Sequence, residues 1–124
     1  MKKAITTPDA DAVPGILSQA IATDNLIFVS GQIHISPEGK LLEGSVEEKV
    51  EQIMKNITAI LKATDAGLDN VVKVTIYVTD LAQMSELNAV YPSYFTAPLP
   101  AREAVGVKEL PLGATIEISV IAAK

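Results

Sequence analysis

The sequence Pro100-Ala101-Arg102-Glu103-Ala104-Val105-Gly106-Val107 is followed, after a short loop, by Ala114-Thr115-Ile116-Glu117-Ile118-Ser119-Val120-Ile121-Ala122. Both segments have the alternation and the β-branched content that predict strands. Each places one charged residue, Arg102 or Glu117, among small and apolar neighbours. Because a charge in such surroundings needs a partner or a ligand, these two residues are the first candidates for a functional site.

The chemistry of the two side chains leaves two interpretations open. An arginine is suited to bidentate recognition of a carboxylate, and a carboxylate such as Glu117 can orient or deprotonate a water molecule. Alternatively, Arg102 lies on the surface and pairs with Glu117, because a simple hairpin centred between residues 109 and 110 would set them directly opposite each other. The residues alone do not separate these interpretations.

Composition excludes several classes of function. The chain has 124 residues, which fits one domain over residues 1–124, and its net charge of −5 argues against a nucleic-acid partner. It contains no cysteine and one histidine, His34, so disulfides, thiolate metal sites and a cysteine nucleophile are excluded. We therefore predict no metal site and no cofactor.

Hydropathy gives no indication of a membrane partner. No apolar run approaches the roughly 20 residues of a membrane-spanning helix. The segment from Met1 to Thr7 resembles neither a signal peptide nor a transit peptide. We therefore expect a cytoplasmic protein, or one of the mitochondrial matrix if a transit peptide has been removed.

Periodicity predicts a mixed six-stranded sheet with two helices on one face, an α+β fold. Ser45 and Glu48 form a capping box, Gly67 is a plausible helix end, and Pro92 should end or kink the second helix, which Asp80 caps. The predicted strands and helices follow the chain as strands 2–7, 16–22 and 26–35, a helix from Ser45, strand 71–78, a helix after Asp80, and the two final strands.

The second face of this sheet has no helix to cover it, yet it is not polar. We expect it to carry Leu26, Phe28, Val71, Tyr77 and Ile121 or Ile118. An exposed apolar face of this kind indicates self-association, most simply in a closed cyclic homo-oligomer.

Three further polar or small residues interrupt apolar segments. Gly31 within strand 26–35 indicates either a β-bulge or a close approach of a ligand to the backbone. Asn88, in the second helix, caps a strand edge, bonds across an interface or faces water. His34 is interpreted as a solvated residue at a strand end.

Four segments together resemble the RidA (YjgF) family of enamine/imine deaminases, over about Gly15 to Ala123. They are Ser30-Gly31-Gln32-Ile33, Asn88-Ala89-Val90-Tyr91 with Tyr94-Phe95, Pro100-Ala101-Arg102, and Ile116-Glu117-Ile118. The resemblance implies a chorismate-mutase-like fold and a homotrimer, with the sheets forming a central barrel. It also implies that the last strand inserts between others, and that pockets lie at the subunit interfaces.

The activity implied by the resemblance is hydrolysis of 2-aminoacrylate, 2-iminopropanoate and 2-iminobutanoate to 2-keto acids and ammonia. Arg102 would hold the carboxylate of the small 2-imino acid, and Glu117 would position the attacking water. The substrate-binding set would be Ser30, Gly31, Leu17, Asn88 and Ala104, together with Arg102. Leu17 replaces a common tyrosine, Ala104 a frequent cysteine and His34 a common proline.

Two other functions remain as alternatives. One is a non-catalytic trimer that binds small carboxylates or acts as a chaperone-like scaffold. The other is the RNA cleavage attached to some relatives, against which the acidic charge and the lack of a histidine pair argue.

Overall fold

The computed structural model describes residues 1–124 as one six-stranded sheet with helices on one face. The predicted α+β fold is confirmed. The strands and α-helices are β1 Lys3–Ile5, β2 Ala20–Ala22, β3 Leu26–Ile33, α1 Val46–Lys62, β4 Val71–Val78, α2 Met84–Val90, β5 Ala101–Gly106 and β6 Ile116–Ala123.

The strand order in the sheet is β1-β2-β3-β6-β4-β5, with β6 inserted between β3 and β4. The simple hairpin of the two final segments is therefore wrong, and Arg102 instead pairs with Val74 in a parallel ladder. The burial of the two strands agrees with this order. Every second residue from Ile116 to Ala122 is at most 2% exposed, as suits a central strand, whereas all six residues of β5 are exposed at the edge.

Helix α1 begins at the predicted capping box. The Glu48 amide donates to Ser45 Oγ over 3.1 Å, and the Ser45 amide donates to the Glu48 carboxylate over 2.9 Å. The helix ends at Lys62, not near Gly67. The reason is a left-handed residue, Asp65 at φ 56°, which reverses the chain so that the Ala66 amide bonds back to the Leu61 carbonyl over 3.0 Å.

The second helical segment is shorter than its apolar stripe suggests. Asp80 Oδ1 accepts the Ala82 amide over 2.9 Å at the start of a 3-10 turn that leads into α2. A further 3-10 turn, Tyr91–Tyr94, contains Pro92, so the predicted break at this proline is confirmed. The segment places Leu87, Tyr91 and Phe95 in the core.

A bulge in β3 interchanges the two faces of the strand. The pairing with β6 shifts register between Val29 and Gln32, which confirms the bulge at Gly31. Beyond it, Gln32 and His34 are buried, and Ile33 pairs with Glu117. The interpretation of His34 as a solvated residue at a strand end is therefore wrong.

Two other strand predictions need correction. Of the predicted strand 16–22, only Ala20–Ala22 is extended in the sheet. A register shift after Val71 turns this residue into the core, and Ile118 lies there as well, so neither lies on the sheet surface that the helices leave uncovered. We define the open face as the sheet surface away from the helices; it carries the exposed or half-buried side chains of Leu26, Phe28, Tyr77 and Ile121.

The longest helix, α1, has 17 residues, and no helix has both the length and the apolar character needed to cross a bilayer.

Candidate active site

A cavity of about 170 Å³ opens beside the bulge of β3. Its walls come from the bulged strand, from β6 and from two loops. The lining residues are Asp11, Val13, Leu17, Gly31, Gln32, Ile33, Ile35, Pro111, Leu112 and Glu117. Among the predicted site residues, the fold thus brings Leu17, Gly31 and Glu117 together.

Gly31 and Glu117 lie directly against each other in the wall of this cavity. A β-carbon added to Gly31 would lie 2.8 Å from Cδ of Glu117 and would overlap the carboxylate oxygen Oε2. A larger residue at this position would force the Glu117 carboxylate to move, because the carboxylate occupies the space of a side chain. The close approach predicted at Gly31 is therefore made, within the chain, by the side chain of Glu117.

Glu117 lies on the open face, between Ile33 of β3 and Tyr77 of β4. Burial raises the pKa of its carboxyl above the ordinary value. A desolvated carboxylate with a raised pKa is a better proton acceptor than an exposed one, and such groups concentrate at functional sites.

Leu17 and Ser30 border a second, wider groove of about 570 Å³. Leu17 is 49% exposed and lines both the groove and the cavity. The Ser30 hydroxyl donates to the Ser18 carbonyl over 2.6 Å, and its amide donates to the Gln19 carbonyl over 3.0 Å. Ser30 therefore fixes the segment that presents Leu17.

Arg102 is held at the edge of the sheet by α2 and the turn after it. Its Nη1 donates to Asn88 Oδ1 over 2.8 Å, and its guanidinium carbon lies 4.8 Å from the centre of the Tyr91 ring. Stacking and this hydrogen bond orient the planar guanidinium while leaving further N–H donors for a ligand. The fold thus joins the predicted residues Arg102 and Asn88.

The neighbours of Arg102 on β5 leave its charge available. Glu103 points to the opposite face and pairs with Lys73 over 2.7 Å, so this carboxylate is engaged elsewhere. Ala104 is exposed and lies on the same face as Arg102, two residues along the strand. The surface beside the guanidinium is consequently small and open.

The two groups of predicted residues do not meet within one chain. Arg102 pairs with Val74, a core residue on the helix face, whereas Glu117 pairs with Tyr77 on the open face. Strand β4 also separates their strands. One chain therefore presents a carboxylate cavity on one face and an arginine site on the other.

Two contributors to the site are absent from the predictions. Gln19 is 2% exposed; its side-chain oxygen accepts the Thr7 amide over 2.7 Å, and its amide nitrogen donates to the carbonyls of Ala10 and Asp11. It holds the loop that brings Asp11 to the cavity, and no local pattern marks it. Tyr91 is different, because its spacing of three from Asn88 already places both on one side of a helical turn.

The architecture and the two sites define a class: small α+β proteins with an inserted C-terminal strand and a carboxylate beside a glycine bulge. The sequence profile described as "Endoribonuclease L-PSP" matches residues 8–124. A RutC family protein of Aquifex aeolicus is 50% identical, with 97% of this chain and 98% of the relative covered. The 2-iminobutanoate/2-iminopropanoate deaminase of Rattus norvegicus is 43% identical, with 98% and 90% covered.

Solved structures agree with these relatives. The crystal structure of the YjgF gene product from E. coli is similar with a TM-score of 0.92 and 36% identity, with 98% of each chain covered. The chain belongs to the YjgF/RidA (L-PSP) family, and the resemblance carried by its four segments is confirmed.

Proposed function

We propose that this protein is a deaminase that hydrolyses small 2-imino acids and their enamine tautomers, such as 2-iminopropanoate and 2-iminobutanoate, to 2-keto acids and ammonia. The deaminase activity in the name of the rat relative supports the reaction class. The observation that carries the proposal is the desolvated Glu117 carboxylate, which lines a cavity of about 170 Å³ against the backbone of Gly31.

Glu117 is the proposed base. A water oxygen attacks the carbon of the protonated imine while one water proton passes to the Glu117 carboxylate, which gives a neutral carbinolamine. Glu117 then returns this proton to the nitrogen, the C–N bond breaks and ammonia leaves. As the C=O bond forms, the remaining hydroxyl proton passes to the Glu117 carboxylate, which releases it to solvent. Because burial raises the pKa of Glu117 towards the working pH, the carboxylate suits these proton transfers.

Arg102 is the proposed carboxylate anchor. The guanidinium is already oriented by Asn88 and stacked on Tyr91, so little side-chain freedom is lost when it binds. Beside it, Ala104 leaves room for the substrate. Holding the imine carbon at the water is most of the required catalysis, since the substrate is itself prone to hydrolysis.

The complete site is proposed to form between two copies of the chain. Arg102 and Glu117 lie on opposite faces of one sheet, so a single substrate can meet both only if they come from neighbouring protomers. The apolar open face offers the contact, and a closed homotrimer with the sheets inside is the proposed assembly. The cytoplasmic location of the protein and the absence of a nucleic-acid partner stay predictions.

The proposal is tested by adding the protein to a pyridoxal-phosphate-dependent threonine dehydratase reaction, which releases 2-iminobutanoate. The wild type should accelerate formation of ammonia and 2-ketobutanoate, and Arg102→Ala should not. Lys62→Ala is the matched control, since it removes an exposed positive charge at the end of α1. Equal acceleration by the wild type and Arg102→Ala would contradict the proposal.

A third result would favour the binding alternative. Calorimetry with 2-ketobutanoate would then show binding that depends on Arg102, while the wild type leaves the rate of imine hydrolysis unchanged. The protein would in that case be a small-carboxylate-binding trimer, and the deaminase proposal would be wrong.

A further inference from the structure

His34 is fully buried, at 0% exposure, directly after the end of β3. Both ring nitrogens have partners: Nδ1 lies 2.9 Å from the Leu42 carbonyl, and Nε2 lies 3.0 Å from the Thr115 amide nitrogen. A backbone amide can only donate, so Nε2 must accept and carries no proton. The proton is therefore on Nδ1, where it is donated to Leu42, and the ring is neutral.

The bond to Thr115 extends the ladder between β3 and β6. The last regular pair of that ladder joins Ile33 to Glu117, and Thr115 lies two residues before Glu117. Here the imidazole supplies the acceptor that a further residue of β3 would provide. His34 thereby ties the start of β6 to the strand that carries Gly31.

Thr115 is also held from three other segments. Its carbonyl accepts the Thr79 amide over 3.2 Å, beyond the end of β4, and Nε2 of Gln83, in the turn before α2, over 3.4 Å. Its hydroxyl accepts from Lys49 Nζ of α1 over 3.0 Å. The bond from His34 is the one among these that connects Thr115 to the β3 side of the cavity.

We propose that His34 is a positioning residue for Glu117: by accepting the Thr115 amide as the neutral Nδ1–H tautomer, it fixes β6 against β3 and so places the carboxylate over Gly31. The catalytic consequence rests on the proposed function. The carboxylate packs directly on the Gly31 backbone, since a β-carbon built there would lie 2.8 Å from Glu117 Cδ. A small displacement of a reacting group can cost large factors in rate.

Burial favours the neutral form of the His34 ring, while the two nearby charged groups act in opposite directions. Burial lowers the pKa of His34, the hydrogen bond with the Leu42 carbonyl opposes this, Lys49 of α1 lowers it further, and Glu43 of the loop before α1 raises it. Protonation would set an Nε2–H against the Thr115 N–H, two donors facing each other. Acidification should therefore break this link.

Two variants separate the proton from the hydrogen bonds. His34→Gln keeps one donor and one acceptor without titrating, and His34→Leu has similar volume with neither. For His34→Leu we expect Thr115 amide protection in hydrogen exchange, measured by NMR, to fall at least about ten-fold. We expect kcat for imine hydrolysis to fall at least about ten-fold with KM within about two-fold, since Arg102 is untouched.

For His34→Gln we expect kcat within about three-fold of the wild type. Its Thr115 protection factor should stay flat on acidification, whereas that of the wild type should fall. A purely structural role would lower the melting temperature of His34→Leu and leave the split between kcat and KM unchanged.

Three results would overturn the proposal. The first is a His34→Leu variant whose kcat and Thr115 amide protection equal those of the wild type. The second is a loss of Thr115 protection on acidification that is equal in the wild type and His34→Gln. The third is a titration curve of Glu117, measured by NMR, that is the same in His34→Leu as in the wild type. If His34→Leu does not fold, the pH comparison with His34→Gln decides. If the wild type has no deaminase activity, the proposed function fails, and Thr115 protection with the Glu117 titration still decides the role of His34.

Discussion

Arg102 and Glu117 lie on opposite faces of one sheet, in strands that β4 separates. The arginine faces α2 at the exposed edge, and the glutamate faces the cavity beside the β3 bulge. An ion pair within the chain is thereby excluded as the reason for these two charges. We propose that both residues act on one substrate, with Arg102 supplied by one protomer and Glu117 by another.

Gly31 is required for its lack of a side chain. We expect Gly31→Ala to lower the free energy of unfolding by about 1–3 kcal/mol and to abolish activity, because the new methyl group displaces Glu117. Gly67→Ala is the matched control, since a β-carbon there meets nothing within 4 Å. Urea unfolding measures the free energy of unfolding of both variants. Adding Glu117→Ala should restore the stability of Gly31→Ala, and failure to do so would show that the overlap is elsewhere.

Glu117→Gln should lose activity and gain stability. We expect kcat to fall by about 10²–10⁴. The folded-state pKa of Glu117 is raised, so its protonated form favours folding at low pH, and this contribution is lost as the pH rises through the folded-state pKa. Above the folded-state pKa, the wild type therefore carries a half-buried charge that glutamine removes.

Thermal unfolding at pH 7 and at pH 4 checks the stability effect. Glu117→Gln should unfold at a higher temperature than the wild type at pH 7, and the difference should shrink at pH 4. A variant that is less stable at pH 7 would show that the carboxylate is favourably solvated or paired.

Asn88 should act through Arg102. Removing its 2.8 Å hydrogen bond in Asn88→Ala is expected to weaken substrate binding by about 1 kcal/mol, or about five-fold in KM, with kcat nearly unchanged. Glu86→Ala, at another exposed position of α2, is the control. Steady-state kinetics of Asn88→Ala and Glu86→Ala measure these effects. A fall in kcat of Asn88→Ala without a rise in KM would contradict a role in anchoring the substrate.

Leu17 should contribute to side-chain selectivity. It forms an apolar wall of both the cavity and the groove. In Leu17→Ser, we expect the preference in kcat/KM for 2-iminobutanoate over 2-iminopropanoate to fall about four-fold, the worth of one buried methylene. Ile16→Ser is the matched control, because Ile16 is 81% exposed and lines only the groove. Equal ratios in all three proteins would remove Leu17 from the selectivity argument.

Local patterns in the sequence predict much of this fold. The capping box at Ser45, strand 71–78 and the break at Pro92 are each written in a few neighbouring residues, and the structure has them where the pattern places them. The order of strands is different in kind. Nothing local distinguishes a final hairpin from a final strand inserted between β3 and β4, because both bury the same alternating residues.

The sequence predicts candidate residues for the proposed site, but it does not predict how they are arranged. Two features account for this: the bulge at Gly31, which turns His34 inward, and the long-range contacts of Gln19 with the N-terminal loop. A one-residue irregularity moves every later side chain to the other face, and periodicity read across it gives the wrong side. The family resemblance, together with their unusual chemistry, distinguishes Arg102, Asn88 and Glu117 in the sequence.

The central claim is that one site takes Arg102 from one protomer and Glu117 from its neighbour. Arg102→Ala and Glu117→Gln, each inactive alone, are mixed in equal amounts, unfolded and refolded together, and assayed for imine hydrolysis. Random assembly would give about one pocket in four with both residues, so about a quarter of the wild-type activity should return. Mixing without unfolding is the control. No recovery after refolding, with intact oligomers present, would contradict the claim.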